Sequence, residues 1–161
     1  MDTAENAHAA TSEDLAALTI LAAAARAELS GMRGGDLLTA ALAGPAGPEA
    51  ALQRTLDDPD RLLLVGRLGE VPVGFAAVRC DRFAGQTVGV IEALYVEPAA
   101  RKVGVGEALV DETLRWCGAR GCEGVDAPTL PGARQAKAFF EDNGFVARLL
   151  VMHHRIRGDR P

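Results

Sequence analysis

The chain has 161 residues, of which 48% are hydrophobic, and its mean hydropathy is +0.08. This length and composition suit one globular domain, so we expect residues 1–161 to form a single folded unit. The formal net charge of −5 and the pI near 5.2 argue against the basic surface that general nucleic-acid binding needs, and they weakly favour an amine-bearing substrate. No apolar run approaches the roughly 20 residues of a membrane span, so we expect no membrane partner.

The N-terminus and the cysteines favour a cytoplasmic protein without a metal centre. Residues 1–5 are acidic, unlike the basic start of a secretion signal. The three cysteines, Cys80, Cys117 and Cys122, are odd in number and form no Cys-x-x-Cys motif. The three histidines are not spaced with them as metal ligands. We therefore expect reduced thiols and no metal.

The first third of the chain predicts helices separated by glycine- and proline-rich breaks. A loose tail or a short edge strand is expected at 7–10. Ser12 is placed to cap a helix that continues to about Leu29, because small polar residues accept hydrogen bonds from the first helical N–H groups. Two shorter helices follow at 36–42 and 49–56.

The rest of the chain predicts strands and helices in mixed order. The predicted strands lie at 61–67, 73–80, 87–96, 124–127 and 145–156, the last range holding one or two strands. An amphipathic helix ends at Ala119, and a second helix spans 133–143. An antiparallel run followed by a βαβ unit predicts an α+β fold, with a mixed, mostly antiparallel sheet flanked by helices in a three-layer α/β/α arrangement.

The turn between the third of these strands and the helix after it has the features of an anion site. The strand ends at Pro98, and the first N–H groups of the following helix lack partners within the helix. Gly104 and Gly106 leave room for a phosphate to approach the backbone, and Arg101 and Lys102 add positive charge. The alternative is a structural turn with incidental glycines.

The same residues carry a resemblance to a known family. Arg101, Gly104 and Gly106 fit the pattern Arg/Gln-x-x-Gly-x-Gly/Ala, after a strand that ends in Leu94-Tyr95-Val96. The chain thereby resembles the GCN5-related N-acetyltransferases (GNAT), well over about residues 60–155 and poorly before them. The resemblance implies a GNAT-like fold, acetyl-CoA as cosubstrate, and direct attack by the acceptor in a ternary complex.

The resemblance also implies which residues bind the cosubstrate. The backbones of Leu94 and Val96 would face the pantetheine, and the Val96 N–H would polarise the thioester carbonyl. Arg101 belongs to the pyrophosphate loop. The amides that would hold the pyrophosphate belong to Lys102, Val103, Gly104, Val105, Gly106 and Glu107.

Glu92 is the candidate general base, because it is a carboxylate inside an otherwise apolar strand. Regular strand alternation places it on the same face as Leu94 and Val96 and turns the side chain of Tyr95 away from it. Several family members that acetylate amines, polyamine acetyltransferases among them, carry a glutamate at this place, thought to act through water. The alternative is a structural carboxylate that accepts hydrogen bonds from the backbone or from an arginine.

A second family motif, Asn-x-x-Ala-x-x-Phe-Tyr, is only partly present near the C-terminus. Ala136, Phe139 and the ending Gly144-Phe145 agree with it. Ala133 stands where the asparagine that contacts CoA is expected, and Phe140 stands where the tyrosine general acid is expected. Phenylalanine has no proton to give, so the leaving thiolate needs another proton source, such as solvent.

The leading interpretation is acetyl transfer from acetyl-CoA to a primary amine of a small molecule. The alternatives are acetylation of a protein N-terminus or lysine, and an acyl-CoA-binding sensor without turnover. Arg33, Arg79 or Arg82 could hold an acidic acceptor, and His153-His154 could shape its pocket, although solvated charges are the simpler interpretation of the arginines. An apolar C-terminal run, 149–152, makes a homodimer plausible.

Overall fold

The computed structural model describes residues 4–43, 45–154 and 156. Its centre is a five-stranded sheet with the order β1-β2-β3-β4-β5. The strands are β1 (Glu5–Ala9), β2 (Arg61–Leu68), β3 (Val71–Phe83), β4 (Gln86–Val96) and β5 (Gly124–Asp126). The first three pairings are antiparallel and the β4–β5 pairing is parallel. The predicted α+β fold with a mixed, mostly antiparallel sheet is confirmed.

Helices cover both faces of this sheet. They are α1 (Leu15–Ser30), α2 (Gly35–Ala43), α3 (Gly47–Asp57), α4 (Val105–Ala119) and α5 (Arg134–Asp142). A short 3₁₀ turn at Ser12–Asp14 precedes α1. Thr11 caps this turn in place of the predicted Ser12, and its backbone N–H donates to Asp14 Oδ2 at 2.8 Å. Among the described residues, no helix is long and apolar enough to cross a membrane.

Two hydrophobic clusters lie on opposite faces of the sheet. One joins α4 and α5 to residues such as Leu64, Val78 and Ile91. The other joins α1 and α3 to Leu63, Val65 and other residues whose side chains alternate with the first set. We call these the α4 face and the α1 face of the sheet.

The predicted strands at 145–156 are wrong in the part of that range that the structure describes. Residues 145–154 adopt no regular secondary structure, and the sheet ends at the three-residue strand β5. The large apolar residues from 145 onward that are at least 75% exposed are Val146, Leu149, Leu150, Val151, Met152 and Ile156. Arg148 ties the segment to β5, with its Nε donating to Asp126 Oδ1 at 2.7 Å. Apolar composition predicted a strand, but residues 145–154 pair with none of the described strands.

Candidate active site

The sheet opens between β4 and β5. β5 pairs with β4 only at Val88–Val90, so within the described chain the stretch Ile91–Val96 has no partner strand on that side. The Glu97 N–H donates to the Val73 carbonyl of β3 at 2.8 Å. Because backbone groups alternate in direction along a strand, those of Leu94 and Val96 point to the open side. The two backbones predicted to face a ligand therefore lie on an unpaired edge.

A β-bulge at Glu92 changes which side chains share a face. Ala77 pairs with Ala93 and Val78 pairs with Ile91, which leaves Glu92 as an extra residue on β4. Glu92 and Ala93 consequently line the same cavity, on the α1 face. Leu94 and Val96 pack with the cluster on the α4 face.

The expectation that Glu92 shares a face with Leu94 and Val96 is therefore wrong, because it assumed regular alternation. The expectation that Tyr95 points away from Glu92 fails for the same reason. Tyr95 packs on the α1 face against Phe75, with ring centroids 6.4 Å apart.

Two arginines hold the Glu92 carboxylate. Arg61 Nη1 donates to Oε2 and Arg79 Nη1 donates to Oε1, both at 2.8 Å. Arg61 also lies 3.4 Å from a carboxylate oxygen of Asp58, and Arg79 also donates to both oxygens of Asp81. The hydrogen bond to Asp81 raises the pKa of Arg79, so that guanidinium stays charged. The carboxylate has the structural role weighed above, and its remaining lone pairs can still accept from a water.

A cavity of about 330 Å³ lies between the sheet and helices α1–α3. Its apolar lining includes Leu52, Phe75 and Ala77, and Glu92 belongs to its polar lining. The other charged residues that line it are Arg26, Arg54, Asp58 and Arg61. Apolar and polar residues thus line the cavity together, and arginines outnumber carboxylates among its charged residues.

The glycine-containing turn leads into the N-terminus of α4. Lys102 and Gly104 have φ values of +68° and +94°, a conformation that favours glycine at 104. A Cβ atom on Gly106 would lie 3.0 Å from Cε2 of Phe139, so this glycine also allows α5 to pack on α4. A Cβ on Gly104 would lie 2.9 Å from Cγ of Glu5 in β1, which places an acidic side chain beside the turn.

The amides of this turn are available to a ligand. In the described part of the chain, no carbonyl or side chain accepts a hydrogen bond from the N–H groups of residues 102–107, whereas the Ala108 N–H donates to the Gly104 carbonyl. The six positions of the predicted pyrophosphate loop are Lys102, Val103, Gly104, Val105, Gly106 and Glu107, and the structure brings them together in one turn and the first turn of α4.

The Arg101 side chain points away from that turn. Its Nη2 donates to both carboxylate oxygens of Glu28 on α1, at 2.7 and 3.0 Å, and its Nε donates to the Val96 carbonyl at 2.9 Å. The guanidinium also lies 5.6 Å from the ring centroid of Tyr95. Burial, and then the charge of Glu28, raise the pKa of Tyr95. The Arg101 side chain therefore joins the end of β4 to α1, and only the backbone of this residue adjoins the turn.

Phe140 is a core residue of α5. Its side chain is 9% exposed and makes edge-to-face contacts with Phe139 and Phe145, with centroids 5.4 and 5.1 Å apart. Ala133 directly precedes the helix. Neither Ala133 nor Phe140, the two departures from the family motif, can therefore donate a proton to the leaving thiolate.

Two of the three thiols, those of Cys80 and Cys117, are held protonated at neutral pH. Cys80, Cys117 and Cys122 are all free, and the Sγ atoms of Cys80 and Cys122 lie 3.4 Å apart. Burial raises the pKa of Cys80 to about 11 and that of Cys117 to about 12. Among the described residues, no group of three or more His, Cys, Asp or Glu side chains is arranged to hold a metal ion.

Glu92 could be singled out from the sequence, but most of its surroundings could not. Arg61, Arg26 and Arg54 come from β2, α1 and α3, and they meet Glu92 only through the fold. One signal was present in the sequence. Arg61 begins the apolar run of one predicted strand, and Arg79 follows the apolar run of the next. A charged residue at such a position often pairs with an opposite charge on a neighbouring strand.

Comparison with known proteins agrees with this architecture. The profile of the acetyltransferase (GNAT) family matches residues 36–145, and the chain belongs to that family. None of the curated proteins compared with the chain matches it significantly.

Among solved structures, a transcriptional regulator from Bacillus halodurans C-125 is 24% identical with a TM-score of 0.69, and the match covers 94% of this chain and 100% of that one. The aminoglycoside N-acetyltransferase AAC(6')-Iy in complex with CoA is 20% identical with a TM-score of 0.72, and 96% of each chain is covered. A putative acetyltransferase from Agrobacterium tumefaciens is 21% identical with a TM-score of 0.71, over 93% of this chain and 99% of that one. At these identities the likeness concerns the fold.

Proposed function

We propose that the protein transfers an acetyl group from acetyl-CoA to a primary amine of a small molecule. The observation that carries the proposal is the unpaired edge Ile91–Val96, which lies between the turn at α4 and the cavity beside α1–α3. A gap at this edge connects the two faces of the sheet, so a thioester bound on one side can meet an amine on the other. The CoA complex of a protein with the same fold supports the choice of cosubstrate.

The turn before α4 has the chemistry to hold a pyrophosphate. Its six backbone N–H groups carry partial positive charge and have no acceptor among the described residues. The dipole of the 15-residue helix α4 adds to that charge. Lys102 supplies a charged side chain at the same place. The Arg101 side chain contributes only if it leaves Glu28, so we assign the phosphate contacts to the backbone of the turn.

The reaction needs a nucleophile, a polarised carbonyl and two proton transfers. The amine nitrogen attacks the thioester carbon, the C–S bond breaks, and the carbonyl oxygen is stabilised by the N–H of Val96. The proton of the amine passes through water to Glu92, whose oxygens keep lone pairs beside Arg61 and Arg79. The leaving thiolate takes its proton from solvent, because Phe140 has none to give.

Charge changes at the turn test the cosubstrate site. Lys102→Glu should weaken acetyl-CoA binding at least about tenfold, because it exchanges an attraction to the pyrophosphate for a repulsion. Glu5→Gln should tighten binding, because it removes the carboxylate beside Gly104. Arg115→Glu, at a 68% exposed side chain of α4, changes the net charge as Lys102→Glu does and serves as the control. Isothermal calorimetry measures all three, and failure of the wild type to bind acetyl-CoA would refute the proposal.

The buried Phe140 favours one alternative, an acyl-CoA sensor without turnover. A neighbour with this fold is described as a transcriptional regulator. Release of free CoA thiol from acetyl-CoA in the presence of small amines separates the two functions. A cavity of about 330 Å³ favours a small acceptor over a protein substrate, and a peptide panel in the same assay tests that preference.

We further propose that the chain acts as one domain and as a homodimer in the cytoplasm. Three free thiols suit a reducing compartment. The exposed apolar segment around 146–152 suits an interface, since exposed clusters of this kind mark association sites. Light scattering should give a dimer mass for the wild type and a monomer mass for Leu150→Asp, whereas Ile20→Asp, at an exposed apolar position of α1, should leave the mass unchanged.

A further inference from the structure

The cavity beside Glu92 carries more positive than negative charge. Its guanidinium groups belong to Arg26, Arg54 and Arg61, and its carboxylates to Asp58 and Glu92. Both carboxylates are already engaged, because Arg61 lies between them at 3.4 and 2.8 Å, and Arg79 also binds Glu92. Arg26 adds its charge to a set in which Arg61 and Arg79 already balance the two carboxylates.

Arg26 is the arginine best placed for a ligand. It lies on α1, and in the described part of the chain its guanidinium makes no ion pair or hydrogen bond. It lines both the cavity and an adjoining depression of about 410 Å³ between α1, α2 and α3. The apolar residues that line the cavity together with Arg26 include Ala22 and Ala25 of α1 and Phe75 of β3.

We propose that the acceptor carries an acidic group, a carboxylate or a phosphate, at a short distance from its amine, and that Arg26 binds this group. The inference rests on the proposed acetyl transfer, because it assigns the amine to the end of the cavity at Glu92 and Ala93. A guanidinium presents paired donors that match the oxygens of either anion. The apolar wall between the two ends fits a short aliphatic spacer.

The positive charge of the cavity argues against an acceptor that carries several positive charges. An aminoglycoside, the acceptor class in the names of several proteins with this fold, carries several ammonium groups. Those ammonium groups would meet the guanidinium groups of the cavity, Arg26 above all, and like charges brought together at a binding site disfavour a ligand. The net charge of −5 attracts cations at long range, but selection among bound acceptors depends on the contacts inside the cavity.

Matched amines test the inference in a thiol-release assay with acetyl-CoA. One pair is β-alanine and its amide, and the other is phosphoethanolamine and ethanolamine, while 1,3-diaminopropane is the cationic reference. In at least one pair, the acidic member should have a kcat/KM about tenfold above its neutral partner, as expected for a charged hydrogen-bonded contact. The pair that responds tells whether a carboxylate or a phosphate is preferred.

Arg26→Gln should remove that preference, lowering kcat/KM about tenfold for the acidic amine and less than about twofold for its neutral partner. Gln is a good helix former and keeps the side chain as far as Cδ with a polar end, but it lacks the guanidinium and its charge. Arg115→Gln makes the same change at a 68% exposed side chain of α4, outside the cavity, and should alter neither value. A better rate with the diamine, or an equal loss for both members of the pair in Arg26→Gln, overturns the inference.

Calorimetry distinguishes failure of this inference from failure of the proposed function. If acetyl-CoA binds but no acidic amine is bound or acetylated at millimolar concentration, the acceptor class is wrong and the acetyl-CoA site stands. If acetyl-CoA does not bind, acetyl transfer fails and the acceptor assignment fails with it. Binding of β-alanine or phosphoethanolamine that Arg26→Gln abolishes would then mark an anion site of another function.

Discussion

Replacing Glu92 by glutamine separates its structural role from its proposed role as a base. The substitution keeps the shape of the side chain but leaves one oxygen and one NH₂ group facing Arg61 and Arg79. One guanidinium therefore loses its acceptor. A hydrogen bond to a charged group contributes about 1.5–3 kcal/mol, and the two arginine side chains are 34% and 32% exposed, which favours the low end of that range through screening.

We therefore expect Glu92→Gln to lower the free energy of unfolding by about 1.5 kcal/mol, or the melting temperature by about 3–6 °C. Loss of a general base should also lower kcat at least about a hundredfold. Urea unfolding and thiol release with the best amine of the panel measure the two effects. Glu92→Asp, which keeps a carboxylate, should recover part of the rate.

Asp81→Asn is the matched control, because it removes another partner of Arg79 at a 44% exposed side chain and leaves Glu92 unchanged. It should reduce stability slightly and leave kcat within about twofold. If Glu92→Gln is destabilised as expected but retains its rate, Glu92 is a structural carboxylate and the base lies elsewhere. If stability does not change, the two arginine contacts contribute nothing and the reasoning from their distances is refuted.

Two further predictions concern the turn of the β3–β4 hairpin and the buried thiols. Ala84 and Gly85 have φ values of +50° and +81°, so Ala84→Asn should raise the free energy of unfolding by about 1 kcal/mol in urea, whereas Ala84→Val should lower it. Burial holds the thiol pKa values of Cys80 and Cys117 at about 11 and about 12, above the ordinary 9.0. As the pH rises from 9 to about 11, the unfolded chain loses these protons first, so stability should fall across that window. The fall should be smaller in Cys117→Ala, and an equal slope in both proteins would contradict the assignment.

Much of the fold could be predicted because its signals are local. The turn glycines, the apolar strands and the helix periodicity marked the elements from Arg61 to Asp142 to within a few residues. The final segment could not be predicted in the same way. Its composition favours a strand, but a strand needs a partner, and β5 spans only three residues. Composition reports what a segment can form, and pairing depends on what the rest of the chain provides.

The same difference between local and long-range signals applies to the candidate site. The turn from Lys102 to Glu107 is continuous in sequence, so its residues could be named in advance. The cavity draws on α1, α3, β2 and β4, and charges so far apart along the chain come together only after the sheet has formed. Cross-strand neighbours such as Arg61 and Arg79 became visible once the register was known.

The bulge at Glu92 is the feature that pattern reasoning was least able to find and on which the proposed chemistry depends most. Counted back from Leu94 and Val96, regular alternation would turn Glu92 toward the apolar α4 face, where a carboxylate would lack partners and cost several kcal/mol. The extra residue instead places Glu92 beside Ala93 on the α1 face, within reach of Arg61 and Arg79. The backbones of Leu94 and Val96 remain on the open edge. One inserted residue thus allows β4 to face a thioester with its backbone and an acceptor with its side chains.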